Sequence, residues 1–393
     1  MSFMNNNNRF FLTFIIFIIL KFSLFATEFD IKAFGTLGAV YQDKEEVKYR
    51  KDLFAKDGAS GDVSLKTDSV LGAQLRLQLD ESFSFVAQGI VQNDYEDHVK
   101  AKIDWGYLKY DGGQNLVVKL GRIRTPFYRN SENLNIGYSN LMIREAAEVY
   151  AQVPFTSYNG VEVAYSDLID TYFYTLQMNY GEESLNVPIH SLNEEVDVDI
   201  EKLFAMNLTV GTEAIQLRGT YMRACISARN TNLDQLFGSL SDPLADQYEF
   251  RKRRSEYRGV GLFIDMNNIL FMTEYGQRRI GSFYADTEGA YATLAYNFDT
   301  ITPFVTLAKS KMNQKTYGVD TGSVALDKIL ESQNVAQRSS VVGVKYVINE
   351  NVDVKVQYEN IVADGDYGGV HLHKHLQNVP ELHALSFALD FIY

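Results

Sequence analysis

The chain ends on a run that dictates a strand and exposes one of its faces. From Ala384 to Tyr393, large apolar side chains alternate with small or polar ones. Leu385, Phe387, Leu389, Phe391 and Tyr393 fall on one face, and Ser386, Ala388 and Asp390 on the other, because successive strand residues point to opposite sides. A soluble sheet can bury such a face. A chain that carries the pattern to its last residue, behind an export signal, presents it to lipid.

The export signal is residues 1–26. Arg9 supplies a weak positive start, and Phe10 to Leu20 is an almost wholly apolar run of the usual length. Lys21 interrupts it, so it is short for a membrane anchor, the rival reading. Cleavage after Ala26 leaves 27–393 as one domain.

After Thr27 one unit repeats: an alternating run, a tight polar turn, another run, then a longer polar segment. Strands are expected at 28–41, 69–80, 83–94, 100–111, 116–127, 159–167, 170–181, 203–211, 214–227, 257–266, 269–281, 288–298, 301–311, 339–349, 352–363 and 383–393. Tight turns fall at 79–82, 111–114, 166–170, 211–213, 266–268, 297–300 and 349–351, rich in the Gly, Asn and Asp that tolerate positive φ. Each joins an even strand to the next odd one. The expected fold is therefore all-β, a transmembrane antiparallel barrel of about sixteen strands with short periplasmic turns and longer external loops.

Alternation is clean in strand two, where Leu71, Leu75, Leu77 and Leu79 oppose Gln74, Arg76, Gln78 and Asp80. Strand fifteen sets Val352, Val354, Val356 and Tyr358 against Asp353, Lys355, Gln357 and Glu359. Such charge is costly on a dry face and ordinary in a wet lumen. Strand five breaks the rule, because Leu116, Val118 and Leu120 share parity with Arg122 and Arg124. A bulge at Gly121 is the favoured explanation. The alternative puts both arginines beyond the apolar band or in a subunit contact.

Composition excludes several classes. Mean hydropathy of −0.18 is too low for a bundle of spanning helices, but not for a barrel whose strands are half wetted. Net charge is −13, and losing Arg9 and Lys21 with the signal leaves −15, which argues against nucleic acid as a partner. The single Cys225 permits no internal disulfide and reads as a small strand side chain. No Gly-x-Ser-x-Gly elbow or nucleotide fingerprint is present, so no enzyme and no cofactor is expected.

The stretch Lys119 to Phe127, the loop Asn133 to Asn140, the segment Glu148 to Phe155 and Asn159 to Val163 together resemble the strand–loop–strand segment of the Gram-negative outer-membrane porin superfamily. The hairpin pattern and aromatic C-terminus extend the resemblance more loosely over the mature chain. The enteric Pro-Glu-Phe-Gly loop signature is absent, and the last residue is Tyr393 rather than the more usual Phe.

The resemblance implies a homotrimeric sixteen-stranded pore whose third external loop folds inward and narrows the channel. It implies an outer-membrane location, contact with outer-membrane lipid and lipopolysaccharide, and delivery to the barrel-assembly machinery through a C-terminal strand ending in Phe391 and Tyr393. Residues 128–158 occupy the place of that loop, with Arg144, Glu145 and Glu148 as constriction candidates. Such a site needs fixed charges of both signs, whose transverse field penalises apolar solutes. Arg76, Lys102, Arg122, Arg124, Arg218, Arg278 and Lys345 are the basic wall candidates. The expected function is passive diffusion of small hydrophilic solutes and ions. The alternative is a structural or adhesive barrel without an open channel.

Three motifs stand apart. Arg251-Lys252-Arg253-Arg254, with Arg258, is the strongest basic cluster, suited to anionic solutes or lipopolysaccharide phosphates. His371, His373 and His375 share a face if extended and are weak metal candidates; no metal is otherwise expected. The acid-rich segment 194–201 lacks the spacing of an EF-hand.

Overall fold

A computed structural model describes residues 28–393 except 46, 52–54, 56–57, 95–96, 154, 190–193, 313–317 and 365–380. Sixteen strands follow one another: β1 (Glu28–Gln42), β2 (Val70–Gln78), β3 (Phe83–Asn93), β4 (Val99–Asp111), β5 (Leu116–Arg124), β6 (Ser157–Ile169), β7 (Tyr172–Ile189) and β8 (Glu194–Gly211). The second half is β9 (Ile215–Arg229), β10 (Arg253–Met266), β11 (Ile269–Ile280), β12 (Thr287–Tyr296), β13 (Ile301–Met312), β14 (Gln337–Asn349), β15 (Val352–Ala363) and β16 (Leu382–Ile392). Each pairs antiparallel with its neighbours in sequence, and β1 closes on β16. Closure leaves no edge strand with unpaired backbone groups.

The alternation read from the sequence becomes the two faces of this wall. Leu37 is 61 % exposed, while Thr36 beside it is 6 % exposed. Leu71, Leu120, Leu307 and Leu385 likewise stand out from the wall. Inside lie Gln88, Asn207, Asp353, Lys355 and Asp390, all buried. A greasy outside around a charged inside is stable only where the outside meets hydrocarbon.

The tight turns carry the expected backbone. Asn267 and Asn268, the two-residue link between β10 and β11, have φ of 52° and 67°. Both central residues of that turn need positive φ, which Asn tolerates. The last residue completes the closure, as Tyr393 N donates to Ala33 O at 2.7 Å and Ala33 N to Tyr393 O at 2.9 Å. Phe391 lies against Gly35, where an added Cβ would meet its ring at 2.6 Å.

Two expectations are corrected. No bulge occurs at Gly121: β5 keeps one register with β6 from Leu116 to Arg124, and with β4 as far as Arg122. The shift lies one strand further, between β3 and β4, where Gln88 pairs with Trp105 and Gly89 with Ile103, leaving Asp104 as the extra residue. Gly121 instead takes φ of 139° where a Cβ would meet Gly106 O at 2.5 Å. Arg122 keeps the parity of Leu120, and its guanidinium is neutralised by both carboxylate oxygens of Glu183 at 2.8 and 3.1 Å. The acid-rich segment is the second correction. Residues 194–201 belong to β8, which begins well before position 203. Ser184 and Asn186 of β7 donate to Asp199 and Asp197 at 2.9 and 3.0 Å, so the hairpin continues as a polar ribbon.

Candidate functional site

Residues 125–156 leave the top of β5 and turn into the barrel. Thr125 N donates to Thr156 O at 2.9 Å and closes the neck. Phe127 packs edge-on against Tyr128 and Phe155, and Phe127 and Tyr128 both lie on Tyr257 of β10, giving the loop an apolar root. Arg218 Nη2 donates to Pro126 O at 2.6 Å, and Thr220 Oγ1 to Phe127 O at 3.2 Å. A loop carbonyl inside a barrel needs such a donor, because burying it unpaired costs its hydration.

The loop tip crosses to the far wall. Ile136 packs on Phe34, Val70 and Ile90, apolar side chains of the β1–β3 wall. Beyond it, Lys355 Nζ donates to Gly137 O at 2.5 Å, and Lys345 Nζ to Tyr138 O and Asn140 O. Each lysine has its own carboxylate, Asp390 at 2.8 Å from Lys355 and Asp353 at 3.0 Å from Lys345. Gly137 is required, since a Cβ there would overlap Asp390 and Thr36. The Tyr138 hydroxyl donates to Asn349 O, at the end of β14, at 3.2 Å.

The returning limb is held by ions. Arg144 bonds Asp68 just before β2, Glu359 of β15 at 2.7 Å and Ser386 of β16 at 2.5 Å, with its guanidinium 4.8 Å from the Tyr49 ring centroid. Glu148 accepts from Gln337 and Ser339 of β14 at 2.8 and 2.7 Å. Gln152 donates to Gly276 O of β11 at 3.1 Å, and Arg278 Nη1 donates to Gln152 O at 2.7 Å. Tyr150 and Tyr291 both donate to Glu274. Nearby, Glu145 accepts from Asn130 Nδ2 at 2.8 Å while its second oxygen has no hydrogen-bond partner. Burial pushes the Glu145 carboxyl up to about 7, against the opposing pull of the Asn130 amide.

A cavity of about 820 Å³ remains between this loop, the first loop and the β1–β4 side. Thr36, Gln92, Asp97, Lys100, Lys102 and Arg144 are among its lining residues. Its lining carries charges of both signs.

The candidates read from the sequence divide by this geometry. Arg144, Glu145 and Glu148 lie on the inward loop, each committed to internal bonds. Arg124, Arg218, Arg278 and Lys345 grip the loop from the wall; Arg124 bonds Asp104 at 2.8 Å and Ser131 O at 2.7 Å. Arg122 faces Glu183, apart from them. Arg76 is exposed on β2 and donates to Gln78, and Lys102 is exposed at the cavity. His371, His373 and His375 lie outside the described residues. Among the described residues no group of three His, Cys, Asp or Glu gathers to hold a metal.

Sequence reasoning missed Arg129 and Glu132, exposed on the loop, with Glu132 3.5 Å from Lys119 of β5. It also missed Asp353, Glu359 and Asp390 as loop anchors. Their signal was present, as each is an acid on the lumen parity of a strand, but their partners are set only when the barrel closes.

Neither a protein-family model nor the sequence of a curated protein matches the chain. Solved structures do. OmpF of Salmonella typhi, solved with daunomycin, superposes with a TM-score of 0.57 at 14 % identity, covering 93 % of this chain and 97 % of that one. The outer-membrane channel DcaP of Acinetobacter baumannii gives 0.59 at 11 % identity over 93 % and 97 %. The fold is the porin fold. An anion-selective porin from Comamonas acidovorans shares it with a TM-score of 0.54, 10 % identity and coverage of 93 % and 100 %. OmpT of Vibrio cholerae in its trimer form gives 0.53 at 12 % identity, over 93 % and 99 %.

Proposed function

We propose that this chain forms a water-filled channel for passive diffusion of small hydrophilic solutes and ions across an outer membrane. One observation carries the reading: an exposed apolar outer wall surrounds a charged lumen, and a loop braced across that lumen leaves a cavity of about 820 Å³ lined by charges of both signs. The chain is exported with residues 1–26 removed, joins the assembly machinery through the β16 strand ending at Tyr393, and works as a homotrimer beside lipopolysaccharide. Arg129 and Glu132, exposed on the loop, join Arg76 and Lys102 as the charges that meet passing ions. No hydrolytic role is proposed.

Planar-bilayer conductance of the purified, folded protein tests this. Discrete steps that scale with salt are expected. A second reading, a closed structural or adhesive barrel, draws on the apolar seat of Ile136 against Phe34, Val70 and Ile90. A folded, inserted protein that never conducts would favour it and overturn the channel.

A further inference from the structure

The segment between β1 and β2 also turns into the lumen. Val40 of β1, Ile361 of β15, and Leu382 and Ala384 of β16 stand on the inward parity of Thr36, Glu359 and Ser386. Val47, Tyr49 and Ala59 of this first loop pack on them in one buried cluster. Gln42, itself fully buried, ties the loop down. Its Nε2 donates to Val47 O at 2.7 Å and Ala59 O at 3.1 Å, and its Oε1 accepts from Lys44 N at 2.6 Å. Buried backbone groups need such partners. Tyr49 and Ala59 exchange backbone hydrogen bonds at 2.9 and 3.0 Å, so the two limbs of the loop run together.

Tyr49 joins the two inward loops. Its hydroxyl donates to Glu359 Oε2 at 2.9 Å, while Arg144 of the third loop donates to Glu359 Oε1. The same Tyr49 ring lies 4.8 Å from the Arg144 guanidinium, within cation–π range. One carboxylate of β15 therefore holds an aromatic from one loop and a cation from the other.

The first loop brings charge to the cavity. Lys51, Asp62 and Lys66 are exposed and line it, facing a wall that includes Lys100 and Lys102 of β4. The loop end on the other side of the barrel is filled. Val187, Val196, Leu233, Phe237, Leu326 and Leu330 belong there to one buried apolar cluster. Water and ions avoid such a cluster and keep to the side where the first loop lies.

We propose that the first loop is a second selectivity loop. Lys51, Asp62 and Lys66 meet the ions that pass the cavity, and Tyr49 is the positioning residue that holds them there. The proposal rests on the channel reading, and it adds a loop and three charges to it.

Charge placed at position 62 tests it. Asp62→Cys is made in a Cys225→Ser chain, which removes the one native thiol. The new thiol forms a mixed disulfide with a methanethiosulfonate bearing either a sulfonate or a trimethylammonium group, and methanesulfinate leaves. Under a salt gradient in planar bilayers, the sulfonate form should shift toward cation preference and the trimethylammonium form toward anion preference. Equal reversal potentials for the two forms overturn the proposal. With Tyr49→Ala added, conductance should rise and the difference between the two forms should shrink; Tyr49→Phe, which keeps the ring on Arg144, should restore most of it. A Tyr49→Ala chain that behaves like its parent overturns the positioning role. The labels at position 62 need no change at Tyr49, so they decide the matter even where Tyr49→Ala does not fold.

Trypsin supplies a readout without current. A loop folded inside the barrel cannot enter a protease, so Lys51 and Lys66 of the folded wild type in detergent should resist cutting, while Tyr49→Ala should be cut about tenfold faster or more, because the lost packing lowers the cost of opening. Rapid cutting of folded wild type overturns the inward loop whatever the channel does. A folded protein that resists trypsin and never conducts overturns the channel reading, and the selectivity role falls with it.

Discussion

Arg144 Nη2 donates to Glu359 Oε1 at 2.7 Å, across 215 positions of chain. The Arg144 and Glu359 side chains are each 6 % exposed, and Asp68 on the other arm of the guanidinium is 3 % exposed. One cation thus neutralises two buried acids and ties the inward loop to β2 and β15 together. Arg144→Ala leaves both acids uncompensated, at a cost of about 3–5 kcal/mol. A lowered thermal unfolding midpoint and a larger, noisier single-channel conductance are expected. Glu359→Gln, which keeps a hydrogen-bond acceptor, should show a smaller version of both.

Glu145 gives the loop a pH response. Its folded-state value of about 7 lies above the 4.5 of an ordinary Glu, so below pH 4.5 both folded and unfolded chains hold the proton. As pH rises from there to about 7, only the folded chain holds it, and the stability it contributes falls. The total loss is about 3 kcal/mol by pH 8, because the charged form has lost its water. Wild type should therefore become less stable, with more frequent loop excursions in current traces, between pH 5 and 8. Glu145→Gln should flatten that pH dependence. An unchanged slope would remove Glu145 as its source.

The apolar seal at Ile136 should be separable from the ionic anchors. Ile136→Ala removes part of a half-buried contact with Phe34, Val70 and Ile90, at a cost of about 1–2 kcal/mol. Ile136→Ser also wets the seam. Conductance should rise in both variants and more in the Ser variant, with folded gel mobility unchanged.

Selectivity should follow the exposed charges instead of the buried ones. Under a salt gradient, Glu132→Gln should move the reversal potential toward anion preference and Arg129→Gln toward cation preference. Arg124→Ala and Glu148→Ala should leave ion preference nearly unchanged while lowering the unfolding midpoint, because both groups are buried in internal bonds. A large potential shift in those two with none at Arg129 or Glu132 would reverse the assignment.

Gly137 tests whether the loop tip must seat as described. Gly137→Val would push the tip off Asp390 and Thr36 and free the Lys355 ammonium from the loop carbonyl. Altered conductance in a barrel that still folds is the expected result, read in bilayers alongside gel mobility.

Local order is legible along the chain without the fold. A period of two assigns faces, and Gly, Asn and Asp mark the turns, so the strands and their wet and greasy sides follow from near neighbours. Leu71 against Gln74 or Val354 against Lys355 needed no tertiary information. Closure decided the rest. Arg144 meets Asp68 and Glu359, and Lys345 meets the loop carbonyls, only after the sheet curls and the loop turns inward. The extra residue at Asp104 rather than Gly121 is likewise invisible locally, because register belongs to a pair of strands. Parity tells which way a charge points; the partner waiting there depends on how sixteen strands are brought round into one wall.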